Sequence, residues 1–286
     1  MLTLPAMHNA NHAGPPVAMT IAGSDCSSGA GLQADLKTFQ YFGVYGLTAV
    51  TCVVSETANT VRGLYPVPAE LVGDQIALSF DSFPVVAVKT GMLYSKEIVN
   101  EVARALAACP DVLLVVDPVM VASTGALLSA PGALQACREE LFPLATLLTP
   151  NVPEAEVLLG MEITRVEDME AAARALADMY GAAVLLKGGH VNGSDCVDVL
   201  CESGDVRYYI SPRLAVPGSH GTGCALSAAI TAGLAKGLSL PDAVAAAKAY
   251  LDRVLAGSYG WTGPTGVTLH ALDLGTVCCR TIYEHD

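Results

Sequence analysis

The sequence predicts an α/β fold in which a mostly parallel sheet is covered by helices on both faces. Three observations carry this. Short apolar runs alternate with amphipathic stretches from residue 17 onwards, the pattern of strand–helix repeats. The runs are almost continuously apolar, as strands buried on both faces are. Glycine-rich and polar pieces follow the runs, and open α/β sheets gather ligands beyond the carboxyl ends of their strands.

Taken in order, VAMTIAG (17–23), LTAVTCVV (47–54), VVAVK (85–89), VLLVVD (112–117), ATLLT (145–149) and AAVLLK (182–187) read as buried strands. Between them, residues 30–42, 68–82, 95–108, 131–142, 153–159 and 167–180 carry apolar residues at helical spacing. DCVDVLCESGDVRYYIS (195–211) predicts a hairpin about a Gly-Asp turn. Helices over 221–236 and 241–256 follow. No linker or repeat interrupts this order, so one domain is expected over 17–257. A loose tail (1–16) precedes it, and an extension of no assigned role (258–286) follows.

Composition narrows the function classes. A net charge of −13 speaks against non-specific nucleic-acid binding. The longest apolar runs, such as VLLVVDPVMVA, are broken by Asp or Pro well short of the about 18 residues a membrane span needs. Residues 1–16 have no basic segment followed by an apolar core, so no secretory signal is expected. Nine cysteines without CxxC spacing then suggest a reduced, cytoplasmic protein whose thiols mostly act as small hydrophobes.

GAGLQA (29–34) matches a dinucleotide fingerprint, but SDCSS intervenes between strand and glycines; a glycine-rich loop that lets backbone approach a ligand reads better. No GxxxxGK[ST] is present, which removes the P-loop nucleotide folds. GTGC (221–224) opens a helix of small residues. Its first N–H groups lack intrahelical partners and could hold a phosphate, and a thiol at Cys224 would there have its pKa lowered. A glycine-permitted turn with Cys224 packed like an alanine accounts for the same residues equally well. DPVM and TPNVPE place Asp117, Asn151 and Glu154 on the predicted rim. One or two such carboxylates suit Mg²⁺, while capping a turn and a helix is the plainer role. Lys187 could reach a phosphate or simply extend to water. Glu56 could accept from ligand N–H donors or be a solvated loop acid. His190 and His220 flank glycine turns and read as structural. No zinc pattern or Ser/His/Asp elbow is present.

Together, TIAGSDCSSGAGLQADLKTF, GVYG, KTGML, DPVMVASTG, TPNVPEAE, LLKGGH and HGTGCALSAAI resemble the hydroxymethylpyrimidine and phosphomethylpyrimidine kinases of thiamine synthesis, members of the ribokinase-like superfamily. The motifs occur in the family's order from residue 17 to about 256. The resemblance implies a ribokinase-like three-layer α/β/α sandwich, a homodimer, and ATP- and Mg²⁺-dependent phosphorylation of a hydroxymethyl group on a pyrimidine. It implies that Gly221, Thr222 and Gly223 form an anion hole, with Cys224 where many superfamily members carry an aspartate base. Asn151, Lys187 and, with less support, Lys248 would serve the nucleotide, and Asp117 and Glu154 the metal. Gly23, Asp25, Ala30, Glu56, Met92 and Val119 match positions of the pyrimidine pocket, where the family carries Gln or Glu at Glu56. Cys26, Ser28 and ETANTVRG depart from the family pattern, and the ending after 257 fits it poorly. A pyridoxal kinase of the same cysteine-bearing type and a non-catalytic binding protein on this fold are the alternatives.

Overall fold

The computed structural model describes residues 14–120, 129–189, 191, 193–214, 220–263, 266 and 268–275. His190, the ASTG of DPVMVASTG, the tail through residue 13 and residues 276–286 lie outside the described residues.

A nine-stranded sheet forms the middle layer. Its strands are β1 (Val17–Asp25), β2 (Tyr45–Thr57), β3 (Thr60–Pro66), β4 (Val85–Thr90), β5 (Leu113–Val116), β6 (Leu147–Leu148), β7 (Ala183–Leu186), β8 (Asp195–Glu202) and β9 (Asp205–Pro212). They lie in the order β3-β2-β1-β4-β5-β6-β7-β8-β9. The six strands from β2 to β7 in this order are joined in parallel, while β3, β8 and β9 pair antiparallel at the two edges. The expected hairpin is β8–β9.

Successive side chains of a strand face opposite sides, and the core divides accordingly. Met19, Val88, Val116 and Leu148 face a layer containing α2 (Ala69–Ser82), α3 (Lys96–Ala107), α5 (Val152–Leu159) and α6 (Val166–Tyr180). Ala18, Ala87, Val115 and Leu147 face α1 (Gly31–Tyr41), α7 (Thr222–Ala235) and α8 (Leu240–Ala256). Alanines dominate the second interface, so α7 lies close on the strands and its N-terminus is held near their carboxyl ends.

Three stretches take forms that their local pattern does not show. β2 runs on to Thr57 and turns back into β3, an edge strand, so Glu56 lies on a strand and not in a loop. The predicted helix 131–142 is only a short α4 (Ala133–Ala136), which widens into a π turn over Cys137–Leu141 and ends in a 3₁₀ turn. Beyond residue 257 the chain forms a hairpin of β10 (Tyr259–Thr262) and β11 (Thr268–Ala271), then buries Leu272 and Leu274 against the α7–α8 core. The hairpin also touches the β2–β3 turn, where Asn59 Nδ2 donates to the Thr268 carbonyl at 3.5 Å.

Candidate active site

Asp117 stands just after β5, Asn151 just after β6 and Lys187 just after β7, so three adjacent parallel strands deliver them to one edge of the sheet. Lys187 Nζ donates to Asp117 Oδ1 at 2.7 Å, and Thr149 Oγ1 donates to the same oxygen at 3.1 Å. Across the gap, Ser227 of α7 donates to Asp117 Oδ2 at 3.3 Å. Burial works to raise the Asp117 pKa, but the Lys187 and Lys89 ammonium groups outweigh it and hold the carboxyl below its usual range. Burial likewise opposes the charge on Lys187, yet Asp117 and Glu154 raise its pKa. A fixed cation therefore stands on the rim.

Asn151 and Glu154 form a reciprocal capping box on α5: Asn151 Oδ1 accepts from the Glu154 N–H at 2.9 Å, and Glu154 Oε2 from the Asn151 N–H at 2.8 Å. Capping and rim placement are thus one feature, since the helix start that needs the cap also fixes both side chains beside Lys187. Burial, with Asp117 adding to it, pushes Glu154 up to about 7 even though Lys187 acts against it. The Lys187 ammonium alone does not satisfy this pair of carboxylates.

The GTGC segment forms the opposite wall. Gly221 has φ +83°, and a Cβ there would lie 1.9 Å from the Gly29 carbonyl oxygen. Only glycine lets α7 begin against the Gly29–Ala30 loop. A Cβ on Gly223 would lie 3.3 Å from Lys187 Nζ and 3.7 Å from Asp117 Oδ2, so the first turn of α7 directly faces the ion pair. Cys224 is partly exposed as a residue, but protein surrounds its sulfur. Burial pushes the thiol up to about 11, ahead of the lowering by Lys89 and the Gly31 N–H. The expected helix-start depression of its pKa is overturned, because desolvation outweighs the dipole here.

The pyrimidine-pocket candidates gather on the far side of this wall. A Cβ on Gly23 would lie 2.8 Å from Cys52 Sγ and 3.5 Å from Met92 Sδ. Cys52, Val54 and Met92 make a small apolar cluster with Val119 packed on it. Glu56 sits at a register shift near the end of β2, and its carbonyl accepts from Cys26 Sγ at 3.2 Å. Burial, and then the Asp25 charge, raise the Glu56 pKa above the usual carboxylate range, with His220 opposing.

Two predicted residues take supporting positions. Asp25 is 1% exposed, and its oxygens accept from the N–H groups of Ser27, Gly29 and Ala30 at 2.7–3.1 Å, with His220 Nε2 at 3.2 Å. It builds the loop that carries Ala30 and ties it to His220, just before the start of α7. Lys248 pairs with Asp198 at 2.9 Å, and the other Asp198 oxygen accepts from the Gly188 N–H at 2.8 Å. This pair braces the chain just beyond Lys187.

Sequence reasoning missed a further, fully buried ion pair. Lys89 and Asp35 are both 0% exposed, with Lys89 Nζ 2.8 Å from Asp35 Oδ2, which also accepts from Thr20 Oγ1 at 2.6 Å. A lysine closing VVAVK and an aspartate on the apolar face of α1 were the available signal; each alone reads as a surface charge.

The comparisons with known proteins agree with this geometry. The family model described as phosphomethylpyrimidine kinase matches residues 25–266. The chain belongs to that family. The hydroxymethylpyrimidine/phosphomethylpyrimidine kinase of Streptomyces coelicolor is 41% identical over 261 residues, covering 91% of this chain and 96% of the relative. The thiamine biosynthesis bifunctional protein ThiED of Geobacter sulfurreducens is 45% identical over 237 residues, covering 83% of this chain and 48% of the relative, so this chain spans about half of that longer protein. Among solved structures, Clostridium difficile phosphomethylpyrimidine kinase has a TM-score of 0.74 at 37% identity, covering 83% of this chain and 98% of that one. An ADP complex of Bacillus subtilis pyridoxal kinase has a TM-score of 0.80 at 36% identity, covering 90% and 97%. The expected ribokinase-like α/β fold is thereby established.

Proposed function

We propose that the chain is an ATP-dependent kinase that phosphorylates the hydroxymethyl group of 4-amino-5-hydroxymethyl-2-methylpyrimidine and then the resulting monophosphate. The observation that carries this is the apposition of the glycine-opened start of α7 to the Asp117–Lys187 pair. Family membership, and relatives named for this activity, support it.

The hydroxymethyl oxygen forms a bond to the γ-phosphorus, the bond from that phosphorus to the β–γ bridging oxygen breaks, and ADP leaves with the electron pair. Cys224 as thiolate takes the hydroxyl proton. N–H groups of the Gly221–Cys224 turn face the developing charge, and Lys187 and Asn151 hold nucleotide phosphates. Asp117 and Glu154 fit Mg²⁺ that arrives with the nucleotide. Both carboxylates are committed in part to protein hydrogen bonds, and no group of three or more His, Cys, Asp or Glu suited to a metal occurs among the described residues. Such a donor set suits a cation that keeps waters and phosphate oxygens. When bound it would offset the negative charge shared by the phosphates and these carboxylates.

The raised pKa of Glu56 favours a pyrimidine. Its protonated form, which a raised pKa favours, offers one donor and one acceptor, matching a ring nitrogen beside an amino group. Raising the pH through the Glu56 pKa removes the donor, so KM for the pyrimidine should rise. Glu56→Gln should keep kcat/KM within about tenfold, a loss of no more than about one hydrogen bond, and flatten this pH dependence. A pH-dependent KM in Glu56→Gln would assign the effect elsewhere.

The likeness to pyridoxal kinases makes pyridoxal the second substrate to test. A coupled assay of ADP release with hydroxymethylpyrimidine, its monophosphate and pyridoxal decides the matter. The pyrimidines should show the highest kcat/KM; preference for pyridoxal would replace this reading, and no turnover with any of them would favour a binding protein.

The reading includes a homodimer, supported by the exposed cross-strand pair Val53 and Tyr65 on the edge hairpin β2–β3, since an uncovered apolar edge invites pairing. No helix among the described residues is long and apolar enough to cross a membrane, and a cytoplasmic location is part of the same proposal.

A further inference from the structure

The pair Lys89–Asp35 lies directly behind the transfer site. On β4, Ala87 shares a core cluster with Ala228 of α7. Lys89 is two residues further on the same face of the strand, about 6–7 Å along it. Cys224 is four residues before Ala228 on the same face of the helix, about 6 Å back along it. Because the start of α7 meets the carboxyl ends of the strands, the two steps run the same way and bring Lys89 under Cys224. Asp35 approaches from α1, whose first residue, Gly31, presents its N–H to the Cys224 sulfur.

We propose that Lys89, held by Asp35, is a positioning residue for the transfer, its buried ammonium stabilising the thiolate of Cys224. The inference rests on reading Cys224 as the proton acceptor. Three facts carry it. Lys89 has three N–H donors but only one hydrogen-bonded acceptor among the described residues, Asp35. Its charge is the strongest influence in favour of the thiolate, while Asp35 and then Asp117 act against it. Burial acts to neutralise Lys89, yet Asp35, Cys224 and Asp117 keep its pKa raised. The charged groups facing the thiol are thus Asp35 from α1, Lys89 from β4 and Asp117 after β5; Lys187, after β7, is itself influenced by Cys224. Lys89 remains protonated throughout and exchanges no proton with substrate.

The test reads the thiol itself. Iodoacetamide labelling of Cys224 is followed against pH by peptide mass spectrometry, in the full chain without substrate. In Lys89→Met the labelling midpoint should rise by at least about one pH unit, the scale of losing a close opposite charge, and kcat at neutral pH should fall with KM for ATP unchanged. Asp35→Asn, which leaves the ammonium uncompensated, should move the midpoint down. The double variant K89M/D35N, which buries no lone charge, should lie above wild type but not above K89M. Circular dichroism confirms the fold of each; if K89M does not fold, the opposite displacements of D35N and the double variant still decide. Midpoints unchanged in folded variants, or shifted in one direction by both single substitutions as general loosening would do, overturn the proposal. The labelling does not depend on which ring is phosphorylated, so a wrong substrate leaves this result standing, and a wrong Lys89 role leaves the coupled assay standing.

Discussion

Cys224→Ala should lower kcat by about a hundredfold while ATP binding persists. A positioned general base contributes about 10²–10⁴. Phosphoryl transfer has a loose transition state in which the attacking hydroxyl is little deprotonated, so positioning and charge stabilisation dominate. The lower end of that range applies. Alanine keeps the Cβ that packs at the edge of the α7 core, and Lys187 with the Asn151–Glu154 box stays in place. Calorimetry with a non-hydrolysable ATP analogue should therefore give a Kd close to wild type. The pH profile separates the thiol from mere packing. With the thiol pushed up to about 11, the thiolate fraction grows as pH rises through the neutral range, so wild-type kcat should climb with pH. In Cys224→Ala that climb should disappear. Turnover close to wild type would reduce Cys224 to a packing residue.

Much of this site was legible in the sequence because parallel α/β topology does the gathering. Once the apolar runs are assigned to parallel strands, Asp117, Asn151 and Lys187 must emerge at one edge, whatever their separation along the chain. What local sequence could not supply was the balance of burial against charge. Cys224 at a helix start suggests a lowered pKa, but protein encloses the sulfur, and the outcome depends on Lys89, far away in the chain. Asp25 shows the same limit. Nothing local to its motif shows that the oxygens of this rim aspartate serve the 27–30 loop and His220. The missed strand β3 has a physical reason too: TVRGLYP is an exposed edge segment with Arg and Gly inside it, and edge strands lack the apolar run that marks the buried ones. The α4 region has the spacing of one helix because its apolar pattern continues through a π turn, which shifts the hydrogen-bond register without breaking the pattern.

Gly221→Ala should cost both stability and catalysis, and Gly237→Ala separates the two effects. Gly221 and Gly237 both hold left-handed backbone, with φ of +83° and +81°. An alanine at either position pays about 1–2 kcal/mol for that conformation, which for a chain of this size lowers Tm by roughly 2–8 °C. At Gly237 a Cβ would meet nothing within 4 Å, so strain is the whole effect and kcat should stay within twofold of wild type. At Gly221 the Cβ would lie 1.9 Å from the Gly29 carbonyl oxygen, which is backbone and cannot rotate aside. Either the start of α7 or the Gly29–Ala30 loop must move, and the first displaces the N–H groups proposed to face the phosphoryl group while the second displaces Ala30 of the proposed substrate site. Misplacing reacting groups by about 1 Å costs about a hundredfold, and losing one anion-hole donor costs about 10²–10³ in kcat. Thermal melts and steady-state kinetics on the two variants therefore should show the strain-sized loss of Tm in Gly237→Ala, a larger one in Gly221→Ala where the clash adds to it, and a loss of turnover confined to Gly221→Ala. Equal kcat in both would mean that the start of α7 supplies no donor to the transferring phosphoryl group, and the charge stabilisation would then fall to Lys187 and the cation that accompanies ATP.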